Sequence, residues 1–492
     1  MAYHIPSTAQ LSLPKALLIV LSMAALLCFT LLLQLATRPG IAFTGQQTLV
    51  RLGHTLRPYI LQESWGPYTP YFPVDRYQGP PKGCVVTQVN ILQRHGARFP
   101  TAGPSQMMAS AVAKLQQART YHNTSLDFIR NYTYDLGIDD LLPFGASQSS
   151  IAGAQAFHRY KHLLSEDDIP FVRSSSASRV VMSAQNWTYG FSTASNLDFN
   201  PVLAIILDSK SNDTLHNYCP AIGSSESMTN IWIDIYAKPI IERLNAAAPG
   251  ANLTTKDVHH LMELCAFHSA VIEDTSDWCQ LFDEKEWKEF EYAKDLDKYY
   301  GTGYGQALGP VEGVGYINEL ISRLTSTLVH DSTQTNTTLD SSPITFPLNR
   351  TIYADFTHDN QLIAIFSAMG LFQQPARLDP TNPNSNGPDR TWVVSQLTPF
   401  AGRMVIEKIL CQRAEPGDRD LDQNNLKEFV RILVNDAVQP LEFCSGVEGL
   451  CDLRNFIESQ EYAISGGGGD WQKCFEQPAS MDPWTREATL SE

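Results

Sequence analysis

Basic residues are scarce in this 492-residue chain: 36 Lys and Arg stand against 52 Asp and Glu, a formal charge of −16. The deficit excludes a general nucleic-acid binder, whose phosphate contacts need a basic footprint. No two cysteines stand at C-x-x-C spacing, which disfavours zinc ribbons and thiol redox motifs. The glycines between Gly301 and Gly315 never fall into G-x-G-x-x-G, so a dinucleotide fingerprint is missing. Internal repeats, collagen-like periods and low-complexity tracts are absent too. No clustered metal-ligand set stands out, and no cofactor is implied. What is present is 43% hydrophobic and 18% charged residues, ample material for a large core. The acidic balance leaves the surface less self-repelling at low pH.

Long apolar runs are also rare. One exists, Ala16 to Leu33, with Lys15 before it and Arg38 after it. It is about as long as a spanning helix needs to be, and Gly40-Ile41-Ala42 offers a small-x-small cleavage site behind it. A cleaved secretory signal and an uncleaved single-span anchor both stay open. Either delivers the rest of the chain to the secretory pathway. Of nine cysteines, Cys28 lies in this run; Cys84, Cys219, Cys265, Cys279, Cys411, Cys444, Cys451 and Cys474 follow it. Eight luminal thiols allow four disulfides, in roughly 105 connectivities by spacing alone. Sequons at Asn123, Asn131, Asn186, Asn212, Asn252, Asn336 and Asn349 suit a secreted glycoprotein. The expected location is extracellular, free or held by the N-terminal segment.

Residues 1–44 are assigned to the n-region and signal or anchor, 45–83 to an extended segment, and 84–480 to the main folded unit. The Pro- and aromatic-rich stretch Trp65 to Pro81 supports the extended assignment. Three strand-then-helix units follow. Cys84 to Gln93 reads as a buried strand before a helix over Met107 to Arg119; Ile169 to Ser174 precedes a helix near Arg179 to Gly190; Arg350 to Phe356 precedes one over Asp359 to Met369. This alternation predicts an α/β sheet with ligands beyond the strand C-termini. The stretch 192–339 reads as a mostly helical insertion. Within it, His259-His260 reads as solvated surface, and the acidic run Glu284 to Asp297 as a solvent-facing helix rather than a calcium loop. Gly466 to Gly469 reads as a turn.

The segment Arg94-His95-Gly96-Ala97-Arg98-Phe99-Pro100-Thr101 carries most of the chemistry. Two arginines bracket a histidine between a strand and a helix N-terminus, a setting suited to an anion. Guanidinium groups match phosphate oxygens bidentately and stay charged at any working pH. A histidine in that field can act as a nucleophile toward phosphorus. Arg173, in Phe171 to Arg179, and His358-Asp359, in Asp355 to Asn360, lie at two further strand ends. Taken singly, Asp359 suits an N-cap and His358 a turn. Together these groups make up a nucleophile, a charge clamp and a proton donor, enough for phosphoryl transfer without metal.

With RHGARFPT, FVRSSSASRV, YADFTHDN, YYGTGYGQALGPVEGVGYINELISRL (Tyr299 to Leu324) and SGGGGDWQKCF (Ser465 to Phe475), the chain resembles the histidine acid phosphatases, and among them the fungal phytases. PYFPVDRYQGPPKGCVVTQVNILQRHGARFPT is similar to the basidiomycete type in particular, and the resemblance runs from about Trp65 to Phe475. It implies a large α/β domain, with a central mostly parallel sheet flanked by helices, plus a smaller mostly helical domain. It implies His95 as phosphate acceptor, Arg94, Arg98, Arg173 and His358 as phosphate ligands, and Asp359 as proton donor. It also implies the disulfides Cys84–Cys411, Cys219–Cys474, Cys265–Cys279 and Cys444–Cys451. The implied activity is hydrolysis of phytate (myo-inositol hexakisphosphate) and related phosphate esters through a phosphohistidine. A broad acid phosphatase with little phytate preference is the alternative; a non-catalytic surface protein is disfavoured because every catalytic member is present. One departure bears on substrate: no cation follows RHGAR before Lys114, which weakens the expected pull on a polyphosphate.

Overall fold

A β-branched, largely apolar run forms the central strand, β1 (Cys84–Arg94), whose second half is wholly buried. It pairs in parallel with β4 (Ile352–Thr357) and antiparallel with β5 (Arg403–Gln412). Beyond β4 lie β2 (Phe171–Ser175) and the edge strand β3 (Leu203–Leu207), both parallel to it. Beyond β5 lie β6 (Leu426–Val434) and β7 (Ala437–Val438), with β8 (Cys451–Asp452) also pairing β6. The computed structural model describes residues 59–208, 210–387, 390–412 and 426–476. These belong to one compact unit, 57–492. The α/β reading holds: the sheet is mixed, its centre is mostly parallel, and helices flank it.

The register decides where the chemistry sits. Arg94 pairs with Thr357, and Ser174 with Phe356, so β1, β2 and β4 finish along one sheet edge. Each then feeds a helix: α1 (Ala102–Gln116), α3 (Ser178–Ala194) and α8 (Asp359–Met369). Helix α1 starts five residues before the expected Met107, because Gly103 and Pro104 fall in its first turn. Proline is tolerated there, since its missing N–H would have no intrahelical partner anyway. Successive residues of β5 point into different cores. Val405 and Ile409 join Trp187, Phe191 and Tyr160 under α3 and α2 (Pro143–Tyr160). Met404 and Ile406 join the larger core under α8 and the helices of the 192–339 stretch.

That stretch is not wholly helical, since it also contains β3. Its helices are α4 (Glu226–Ala247), α5 (Thr255–Ile272), α6 (Glu284–Gly301) and α7 (Val314–Thr325). Capping boxes at Thr254/Asp257 and Asp283/Glu286 start α5 and α6. Two expectations fail here. Helix α6 is not a solvated face: Glu291, Lys294, Asp295 and Lys298 are buried. His259 is buried against Tyr236, and His260 bonds Glu263, so this pair is not solvated surface. Both helices pack on several sides, so their charged residues turn inward in pairs.

Four disulfides close the described chain: Cys84–Cys411, Cys219–Cys474, Cys265–Cys279 and Cys444–Cys451. They are the pairs that the family resemblance implied, and they suit an oxidising compartment. Among the described residues no helix is long and apolar enough to cross a membrane. The apolar run 16–33 and the proposed cleavage site lie outside the described residues.

Buried carboxyls give the fold a pH signature. Burial pushes Glu291 and Asp340 up to about 8, and Asp213 and Glu312 up to about 7. Each holds a proton in the fold that the unfolded chain releases in the ordinary carboxyl range. Their contribution is therefore complete below that range and is lost as pH climbs through 7 to 8. The buried neutral histidines His95, His259 and His358 act in the opposite sense, but their contribution is complete above about pH 6.5. Calorimetric Tm should fall by several degrees between about pH 6.5 and 9; a level or rising Tm contradicts this account.

Candidate active site

The turn after β1 is built by close backbone contact. A Cβ on Gly96 would lie 2.1 Å from the Gly145 carbonyl oxygen, and one on Gly145 would lie 2.1 Å from that of Ala97. Glycine at both positions lets the turn press against the start of α2. Ser183 Oγ then accepts from Gly96 N–H at 3.0 Å, and Gln148 Oε1 accepts from Ala97 N–H at 2.9 Å. His95, itself 1% exposed, is locked in between. Its Nδ1 lies 2.9 Å from the Gly96 carbonyl, which can only accept. Nδ1 therefore carries the proton, and Nε2 keeps a free lone pair.

Around this imidazole the structure gathers positive charge. Arg94 is fully buried: its Nη1 donates to the carbonyls of Pro67 and, at 2.7 Å, Thr398, and its guanidinium lies 4.8 Å over the Phe400 ring. The His358 ring lies edge-on to His95 at 5.6 Å. Arg98 donates to the Phe99 carbonyl at 2.7 Å. Arg98 Nε and Arg179 Nε are buried donors with no hydrogen-bond partner, and the ring nitrogen His358 Nε2 is buried without one too. Burial, with help from Arg94, Arg98, Arg179 and His358, holds His95 well below the usual imidazole range. Burial, Arg179 and His216 do the same to His358. Arg98 and Arg179 also oppose the charge on Arg94, which burial lowers to about 10. An anion entering this cup relieves all of these repulsions at once.

Asp359 is the acid of the cluster. Its Oδ2 lies 3.2 Å from Arg94 Nη2 and 3.0 Å from Lys298 Nζ. Burial pushes its carboxyl up, but Arg94 and Lys298 outweigh that and hold it well below the usual range. Asp359 is thus ionised in the empty site.

Five of the six predicted residues converge: Arg94, His95, Arg98, His358 and Asp359. Arg173 does not. It sits within β2, opposite Asp355, and its guanidinium is occupied by Asp355 at 2.8 Å and Glu319 at 2.5 Å. Arg323 binds the same Asp355 at 2.6 Å, which completes a buried neutral network. The third arginine of the cup is Arg179, in the first turn of α3. Both arginines stand in FVRSSSASRV; the usable signal was that only a residue past the strand end reaches the edge where β1 and β4 finish. Lys298, on α6, gave no local signal, and it supplies a cation that the segment after RHGAR lacks. His216, 5.4 Å from the His358 ring, was also missed. Among the described residues no group of three or more His, Cys, Asp or Glu is placed to hold a metal ion.

The model of the histidine phosphatase superfamily (branch 2) matches residues 85–435. The chain belongs to this family. Phytase A of Emericella nidulans is 38% identical over 84% of this chain and 90% of its own. Phytase A of Aspergillus terreus is 40% identical, over 84% and 91%. Among solved structures, the phytase from D. castellii superposes with a TM-score of 0.65 at 21% identity, over 83% of this chain and 85% of that one. A Bifidobacterium longum multiple inositol polyphosphate phosphatase gives 0.58 at 13%, over 80% and 96%. At those identities the two structures speak for the fold alone.

The two arginines predict separable outcomes in this phosphatase. Arg179→Ala should lower phosphate release by about 100-fold or more with little change in Tm, because it removes an open donor. Arg173→Met should cost about 3–5 kcal/mol of stability, because it strands buried carboxylates. Melting curves and kcat on folded protein check both; the reverse pattern overturns the assignment.

Proposed function

We propose that this chain is a secreted phytase, hydrolysing phytate and related phosphate monoesters through a phosphohistidine. The observation that carries the reading is the free Nε2 of a neutral His95 inside a cup of open arginine donors and the His358 ring, with Asp359 at its rim. The relatives named Phytase A support the substrate. In the first step His95 Nε2 forms a bond to phosphorus and the P–O ester bond breaks. Arg94, Arg98, Arg179 and His358 take up the charge on the phosphoryl oxygens, and the leaving alkoxide takes its proton from Asp359. In the second step water attacks phosphorus, its proton passes to the Asp359 carboxylate, and the N–P bond breaks.

A depressed His95 keeps its lone pair in acid, where an ordinary imidazole is mostly protonated. Asp359 presents the opposite problem, because Arg94 and Lys298 hold it ionised. A phosphate monoester entering as the monoanion solves it: the substrate brings a proton and turns the cations away from the carboxylate. Lys298 adds a cation for a further phosphate of a crowded ring. The disulfides, and the exposure of Asn123, Asn131, Asn212, Asn252 and Asn349, support secretion as a glycoprotein.

Alkaline quenching of turnover with labelled substrate should trap phosphate on the wild-type chain and none on His95→Ala; equal labelling sinks the nucleophile assignment. The rate should fall as pH rises from about 5 to 8, because the ester loses its second proton near pH 6. A rate that climbs across that interval contradicts the proton route. Turnover of phytate should exceed that of a simple aryl phosphate at equal concentration; a preference for the aryl ester would favour a broad acid phosphatase.

A further inference from the structure

Behind the arginine cup, α6 carries two buried acids one turn apart, Glu291 and Asp295, that the phosphoryl-transfer scheme does not use. Glu291 Oε2 accepts from Gly66 N–H at 2.8 Å, and Oε1 accepts from Ser395 N–H at 3.0 Å. Asp295 Oδ1 accepts from Val394 N–H at 2.7 Å, and its other oxygen pairs with Arg390. These bonds hold two separate chain segments. Gly66 immediately precedes Pro67, and Ser395 lies in the helical turn Val394–Leu397, which ends at Thr398. The Pro67 and Thr398 carbonyls are the two that receive Arg94 Nη1. The segments also bond each other, Phe400 N–H to the Thr69 carbonyl at 2.9 Å, and Phe400 carries the ring beneath Arg94. Gly66 has φ +58°, and a Cβ there would lie 2.5 Å from Lys294 Cβ, so this backbone lies directly on α6.

We infer that Glu291 is a positioning residue for Arg94, fixing through segments 66–67 and 395–398 the guanidinium that clamps the phosphoryl group and restrains Asp359. The inference rests on the phosphohistidine reading. The two N–H groups each take a separate carboxyl oxygen, and an amide at this position would present one oxygen and an NH₂ in place of the other. Burial and Asp295 push Glu291 up to about 8. Below that pH it keeps its proton and donates it to Asp295, so the two acids sit together without repulsion.

The test uses the full chain with Glu291→Gln and Glu291→Ala, with working sites counted from the phosphoenzyme trapped by alkaline quench, in which the N–P bond survives. Per working site, kcat should fall about tenfold in the Gln variant and about 100-fold in the Ala variant, the scale of a small misplacement of a catalytic group. The acid limb of kcat/KM, where Asp359 gains a proton, should move up by about half a pH unit, as Arg94 loosens its hold on Asp359 while Lys298, His95 and Arg98 stay in place. A purely structural residue would lower Tm and leave both quantities unchanged. Unchanged kcat per site and an unmoved limb in the Gln variant, which keeps shape and one acceptor, overturn the positioning role whether or not the Ala variant folds. A wild-type chain that forms no phosphoenzyme overturns the underlying reading, and the positioning role with it.

Discussion

Three guanidinium groups and a second histidine are held around one neutral imidazole, with the buried Asp359 and the partly exposed Asp139 to balance them. Such a collection repels itself, and burial sharpens the repulsion by removing water. The fold keeps it together by giving Arg94 two backbone carbonyls as well as Asp359, and by pinning the glycine turn against α2. The excess positive charge suits the site to an anion, and together with burial it holds His95 well below the usual imidazole range.

A second, closed network lies one layer down. Arg173 and Arg323 share Asp355, and Arg173 also binds Glu319, so every charge there has an opposite within hydrogen-bond reach. This network joins β2, β4 and α7 and gives the open cup a rigid floor. The contrast is one of degree: Arg173 and Arg323 spend their guanidinium groups on fully buried carboxylates and hold the sheet together, whereas Arg94 and Arg179 in the cup each meet one carboxylate, at 3.2 and 3.3 Å, and keep N–H groups without a partner. Exposure does not separate the two kinds, since Arg94 is as buried as Arg173.

Much of this was readable in the chain. The runs leading to Arg94, Arg173 and Asp355 have the β-branched character of buried strands, and each is followed by a helical pattern, so the three strand ends and most of the catalytic cluster could be placed. Arg173 was misjudged because strand composition does not show on which side of the sheet edge a residue falls; the end of β2 and the turn at 176–177 separate it from Arg179. Helix α6 was misjudged because its charges look like a solvated face until the packing of α4, the 65–69 segment and the 394–398 turn around it is known. His259 was misjudged for the same reason on α5.

By itself the sequence determined the α/β alternation and the RHGARFP and HD pairs, because these depend on residue type and spacing within a few neighbours. Only the tertiary structure decided which arginines were left open, that Lys298 reaches Asp359, and that Glu291 supports the carbonyls behind Arg94. Those outcomes depend on which distant groups share a small volume of low dielectric, where a partner a few ångströms away sets the charge state and the role of each residue.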